Sequence, residues 1–300
     1  MRAKTAFPDR SRLQRQDHRA SLRIRHRLFL IAADVGVRMT GSRRTLDREL
    51  LAATAHAARP GERFWLPAPR VLRWLGASLC VNLPACTVQR GLRDWMRDGE
   101  RAFHCDAFFL GAGDWSDISY PLADNAIVCE ARELRAAGMA FRNTASYRDY
   151  VKRMQAGRAI RRNRVCLDRV EKIDRYFAQF VALFESIQAL GVRPHRELGG
   201  RAARFKAIAP GRRWLAEFFE RDIGVAVGPG GELYKLPGGQ HRMAIALALD
   251  LPVVPVQVRL VHQDWLAPLM ANSASSAGDA LVAAVRRLQQ PCPTCSVPTQ

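Results

Sequence analysis

Apolar side chains recur at three- and four-residue spacing between Cys166 and Leu190, at Val170, Ile173, Phe177, Phe180, Leu183, Phe184, Ile187 and Leu190. That period lays one apolar stripe along a helix. Gly191 follows, where a glycine closes a helix by turning left-handed. Weaker patterns of the same kind predict further helices. One covers residues 45–57, with Thr45 as N-cap, Glu49 close to the capping-box position and Pro60-Gly61 as its stop. Two more cover Val71–Cys80 and Cys86–Arg97, separated by Pro84, with Trp74, Leu75, Leu79, Leu92 and Trp95 as core. Others cover Asn143–Gly157, Trp214–Glu220 and Asp279–Leu288.

From Asp222 to Arg259 the period shortens. Ile223–Val227 and Glu232–Leu236 alternate around Gly228-Pro229-Gly230-Gly231, which predicts a hairpin. Gly238-Gly239 frees the chain to turn sharply. Gln240–Leu249 then reads as an Ala- and Leu-rich helix ended by Asp250 and Pro252, and Val253–Val258 as a buried strand. Upstream, Phe108–Leu110 runs into Gly111-Ala-Gly-Asp-Trp115, a strand entering a turn. Asp114 and Asp117 there either cap the loop or line a polar site. The order of elements predicts an α+β protein, a small mixed sheet with packed helices preceded by a mainly helical N-terminal region. Residues 1–42 read as a basic, flexible arm and 43–160 as the helical region. Residues 161–265 read as the sheet domain and 266–300 as a C-terminal helix and Pro/Cys tail.

Composition adds a partner question. The 300 residues are 48% hydrophobic, enough to bury a core, and carry a formal charge of +19. The first 27 residues hold Arg2, Lys4, Arg10, Arg12, Arg15, Arg19, Arg23, Arg25 and Arg27 against Asp9 and Asp17. Such an arm is either solvated or meets nucleic acid or acidic lipid. Nearly all the basic residues are arginine, so base composition of the genome is an equal source of the charge. No aromatic interleaving supports stacking on single strands. No apolar run approaches the roughly 20 residues of a membrane span, and Leu28–Val37 contains Asp34. The arm is too long for a secretory signal, so a cytoplasmic protein without membrane partners is expected. Seven scattered cysteines read as free thiols. Cys292-Pro-Thr-Cys295 has no second pair, so no metal site is expected.

The candidate chemistry lies at Gly238-Gly239-Gln240-His241-Arg242. Backbone N–H groups at a helix start have no intrahelical partner and favour an anion. Arg242 can hold phosphate with two parallel bonds. His241 can donate to an oxyanion or move a proton near neutral pH. The alternative is that His241 and Arg242 cap the sheet or pair with acids.

The helix with Leu183-Phe-Glu-Ser-Ile187 and Gly191, the hairpin, the Gly239-Gln240-His241-Arg242 step, Ala244–Leu251 and Pro255-Val256 together resemble the ParB/sulfiredoxin-like superfamily. ParB-type domains carry G-E-R-R at this step and sulfiredoxins carry G-C-H-R. The resemblance spans about Cys166 to Arg259, interrupted by the Arg-rich Arg193–Arg213. It implies a nucleotide-phosphate site at Gly238, Gly239, Gln240, His241 and Arg242, taking a nucleoside triphosphate with Mg²⁺. Gln240 stands where relatives carry the reactive cysteine or the glutamate, so sulfinate reduction and a carboxylate base at this position are not expected. Little chain remains after Arg259 for a helix-turn-helix, which disfavours a partition role.

Three readings stay open. The first is a phosphotransferase or NTPase with His241, Glu232 and Asp114 as catalytic candidates, or Asp117 or Asp222 as the acid. The second is a nucleic-acid-binding protein or ParB-like nuclease. The third is a non-catalytic nucleotide sensor or scaffold.

Overall fold

The computed structural model describes residues 42–57, 66–93, 95–98, 101–105, 107–162, 165–194, 222–271 and 276–289. The basic arm, most of Arg193–Arg213, the helix expected over Trp214–Glu220 and the Cys292/Cys295 pair lie outside these residues. The first part runs α1 (Arg43–Ala57), α2 (Ala68–Leu75), β1 (Cys80–Leu83), β2 (Arg90–Leu92), β3 (Trp95–Asp98), β4 (Arg101–His104), β5 (Leu110–Gly111) and β6 (Ser119–Pro121). Then come α3 (Ala126–Ala136), α4 (Ala145–Gln155), β7 (Arg161–Arg162), β8 (Val165–Cys166) and α5 (Val170–Leu190). The chain continues with β9 (Ile223–Val227), β10 (Leu233–Lys235), α6 (Gln240–Ala248), β11 (Val254–His262), α7 (Gln263–Ala271) and α8 (Ala277–Arg287).

The α+β class holds. Seven strands form one mixed sheet in the order β1-β11-β9-β10-β2-β6, with β5 paired to the end of β11. β11 runs parallel to β9 and β5, and β10 runs parallel to β2. The other three pairs are antiparallel. β9 and β10 form the expected hairpin, with Val227 opposite Leu233. Along β9 the side chains alternate between two cores. Val225 and Val227 join the main core with Met243, Ala244 and Ile245 of α6, whereas Ala226 joins a smaller one with Trp115, Tyr234, Leu236 and Leu260.

Two expectations change. Among the described residues the region 43–160 is not helices alone. β1, β2, β5 and β6 supply four of the seven strands, interleaved with β9, β10 and β11. Nor do residues 86–97 form a helix. A short 3₁₀ turn at Ala85–Thr87 leads into β2, which pairs with the otherwise open edge of β10. Gly91 lets the Tyr120 ring lie over the strand, where an added Cβ would sit 2.6 Å from it. Tertiary pairing overrides a local helical pattern here.

Smaller differences follow the same logic. α1 is capped by Ser42, whose Oγ accepts from Thr45 N at 3.2 Å, rather than by Thr45. α5 starts at Val170 because Val165-Cys166 pairs with Arg161-Arg162. Its buried stripe is Ile173, Tyr176, Phe177, Phe180, Leu183, Phe184 and Ile187, while Val170 and Leu190 are exposed. Of the residues assigned to the core, Leu75, Leu79 and Leu92 are buried and Trp74 is exposed; the Trp95 side chain lies outside the description. β11 continues past Val258 through an irregularity at Arg259. Among the described residues no helix is long and apolar enough to cross a membrane.

Candidate functional site

Gly238 and Gly239 carry the turn into α6 with φ of +94° and +63°. Gly239 is the N-cap, and no side chain caps the first turn. A Cβ on Gly239 would lie 3.1 Å from the Cα of Ile223, so the helix start sits directly on β9. The sequence therefore places Gly at both positions for conformation and for close approach.

Cationic side chains gather around this turn. Lys235 is 3% exposed and donates to the carbonyls of Leu236 and Gly238. Arg259 is 1% exposed; its Nη2 donates to the Asp222 carbonyl at 2.6 Å and its Nε to Gln257 Oε1 at 2.9 Å. Its Nη1 lies 3.9 Å from where a Gly238 Cβ would be. Arg242 points to Asp222, with Nη1 at 3.8 Å from Oδ1. Three cations and one carboxylate thus flank the amino end of α6. Arg242 was legible in the sequence. Lys235 and Arg259 were not, because both interrupt strands that otherwise read as apolar.

His241 faces elsewhere. Its Nε2 is 3.2 Å from the Tyr176 hydroxyl, and its ring packs edge-on against Tyr176 and Phe180. Tyr176 and Tyr150 both donate to Glu130, Tyr176 to Oε2 at 2.6 Å. Arg162 Nη2 donates to Glu130 Oε1 at 2.7 Å and the guanidinium lies over the Tyr150 ring at 5.4 Å. Glu130 is 1% exposed. A phenol has one hydrogen. Since Tyr176 spends it on Glu130, His241 must donate Nε2–H to the Tyr176 oxygen, which fixes the tautomer.

Burial lowers the His241 pKa to about 3, and the Arg162 charge pushes the same way. The residue keeps some overall exposure, but its ring is enclosed. The expected change of charge near neutral pH does not occur here; the imidazole is neutral at pH 7. Burial and the Glu130 charge hold the Tyr176 and Tyr150 hydroxyls protonated. For Arg162, burial opposes the charge but Glu130 and both phenols outweigh it, raising its pKa. The Arg162 Nε–H is buried without an acceptor among the described residues, a placement that costs stability.

The other two catalytic candidates stand apart from this network. Glu232 closes the β9–β10 hairpin, accepting from Gly230 N at 2.9 Å and from the Tyr234 hydroxyl at 3.0 Å. Asp114 accepts from Ser116 N at 2.8 Å and Ser116 Oγ at 2.7 Å, which holds its pKa below the usual carboxylate value. Its charge and that of Glu232 both act on Tyr234. Asp117 is exposed in the same turn. The structure therefore brings Gly238, Gly239, Gln240 and Arg242 to one turn, sets His241 against Tyr176 and Phe180, and places Glu232 and Asp114 both near Tyr234.

Comparison with family models, with curated proteins and with solved structures finds no match to this chain.

Proposed function

We propose that the chain binds the phosphates of a nucleotide at the amino end of α6, on a ParB/sulfiredoxin-like unit formed by α5, β9, β10, α6 and β11. One observation carries the reading. Lys235 donates to the Gly238 carbonyl, Arg259 Nη1 lies 3.9 Å from where a Gly238 Cβ would be, and Arg242 in the first turn of α6 faces Asp222, so three cations lie beside this helix start. Donors of this kind, held in a protected site beside a helix start, suit a polyphosphate. The hairpin–Gly-Gly turn–helix–strand order supports the superfamily resemblance.

The site reads as a binder. His241 is neutral and engaged with Tyr176, and Gln240 can only hydrogen-bond. Asp222 is the carboxylate at this turn and already faces Arg242. Mg²⁺ keeps several waters and often binds through phosphate oxygens, so the ion would enter with the nucleotide.

A thermal-shift series with ATP and CTP, each with Mg²⁺, tests the reading. A ligand at 100 times its dissociation constant stabilises by about 2.7 kcal/mol. Arg242→Ala is expected to abolish most of that shift. Absence of any shift with the unaltered chain, or equal shifts in both proteins, would remove the proposal.

A further inference from the structure

Between α3, the first turn of α4 and β7 lies a pocket of about 480 Å³. Its wall carries the charged residues Glu130, Glu133, Asp149, Arg153 and Arg162. Three carboxylates against two guanidiniums leave it net negative, on a chain whose formal charge is +19. The pairing inside the wall is specific. Arg162 holds Glu130 at 2.7 Å and Arg153 holds Asp149 at 2.7 Å. Glu133 instead accepts the neutral N–H of Ser146 at 2.7 Å.

A helix start opens on this pocket, yet it is no anion site. The Ser146 N–H is taken by Glu133 and the Tyr147 N–H by Thr144 Oγ1 at 3.2 Å. Among the described residues, Glu133 is thus the carboxylate of this wall that no cationic side chain pairs. Opposite charge is what such a wall selects. Arg162 adds a second recognition element. Glu130 and the Tyr150 ring fix its guanidinium, and the side chain remains 22% exposed. The buried bonds of Tyr150 and Tyr176 to Glu130 hold this wall in one geometry, as a preformed site requires.

We propose that this pocket binds a small molecule bearing a primary ammonium or guanidinium group, with Glu133 as its counter-charge and Arg162 donating to an oxygen a few atoms away. The proposal does not rest on phosphate binding at α6. Calorimetry on the full chain with agmatine, ethanolamine, ethylamine and glycolate tests it. The amines are expected to bind and glycolate is not. Ethanolamine should bind more tightly than ethylamine, since only it offers Arg162 an oxygen; equal affinities would remove the Arg162 role.

Glu133→Gln keeps an oxygen for the Ser146 N–H and should weaken amine binding at least tenfold. Asp149→Asn, which releases the Arg153 charge into the wall, should weaken it as well and serves if Glu133→Gln fails to fold. Arg242→Ala should leave amine binding unchanged. No heat from any amine, binding of glycolate as well as the amines, or unaltered affinity in both acidic-wall variants would overturn the proposal.

Discussion

The buried imidazole makes stability depend on acid in a way that one substitution can isolate. Burial pushes the His241 imidazole down to about 3 in the folded chain, from an ordinary value of 6.5. Between those values the unfolded chain binds the extra proton, so stability falls as pH falls. The contribution is complete above pH 6.5 and is lost progressively toward pH 3. From pH 7 to pH 5 the linkage amounts to about 2 kcal/mol. His241→Gln keeps an N–H for the Tyr176 oxygen and cannot titrate. Urea unfolding of both proteins at the two pH values supplies the comparison, because carboxylates elsewhere titrate equally in each. The unaltered chain should lose about 2 kcal/mol more than the variant, or roughly 4–8 °C in Tm for a domain of this size. Parallel losses in the two proteins would show that the imidazole is not enclosed as described.

Other perturbations separate conformation from chemistry. Gly239→Ala forces a left-handed φ on a residue with Cβ and brings that Cβ to 3.1 Å from the Ile223 backbone, so urea denaturation should show a loss of about 1–3 kcal/mol. Glu232→Ala removes the hairpin bonds to Gly230 and Tyr234; it should cost about 1 kcal/mol or less at this exposed position and leave any nucleotide thermal shift intact. Tyr176→Phe takes one donor from buried Glu130 and leaves the His241 N–H without its oxygen. Chemical denaturation should register a cost of about 2–4 kcal/mol, while the far-ultraviolet circular dichroism stays unchanged.

The strongly periodic parts of the chain were legible from sequence. The α5 stripe, the β9–β10 hairpin, α6 and its Gly-Gly entry all form, because each is specified by local spacing or by glycine at positive φ. A strand at Phe108–Leu110 was expected, and β5 forms there at Leu110–Gly111, but β1, β2 and β6 were not legible. They are three or four residues long; β1 and β2 exist as strands because β11 and β10 supply their partners from more than a hundred residues away, and β6 pairs in turn with β2. The Glu130 network was equally hidden. Its members come from α3, α4, β7 and α5, and no local spacing in the sequence links them. Lys235 escaped because a lone cation in a strand gives no clue to which face it takes or which carbonyls it meets.

The separation of His241 from Arg242 follows from helix geometry. Successive residues on an α-helix point about 100° apart. With Arg242 turned to Asp222 beside β9, His241 is swung toward α5, where Tyr176 and Phe180 enclose it. Two adjacent residues at this helix start therefore have different neighbours. The histidine instead joins the start of α6 to the Glu130 network. Its Nε2–H reaches Tyr176, Tyr176 reaches Glu130, and Glu130 fixes Arg162 at the wall of the α3–α4 pocket. Each link is buried or partly buried, and loss of one partner leaves the next without its bond. The imidazole that is neutral at pH 7 thus ties the first turn of α6 to α5, beside the turn that Lys235 holds through the Gly238 carbonyl.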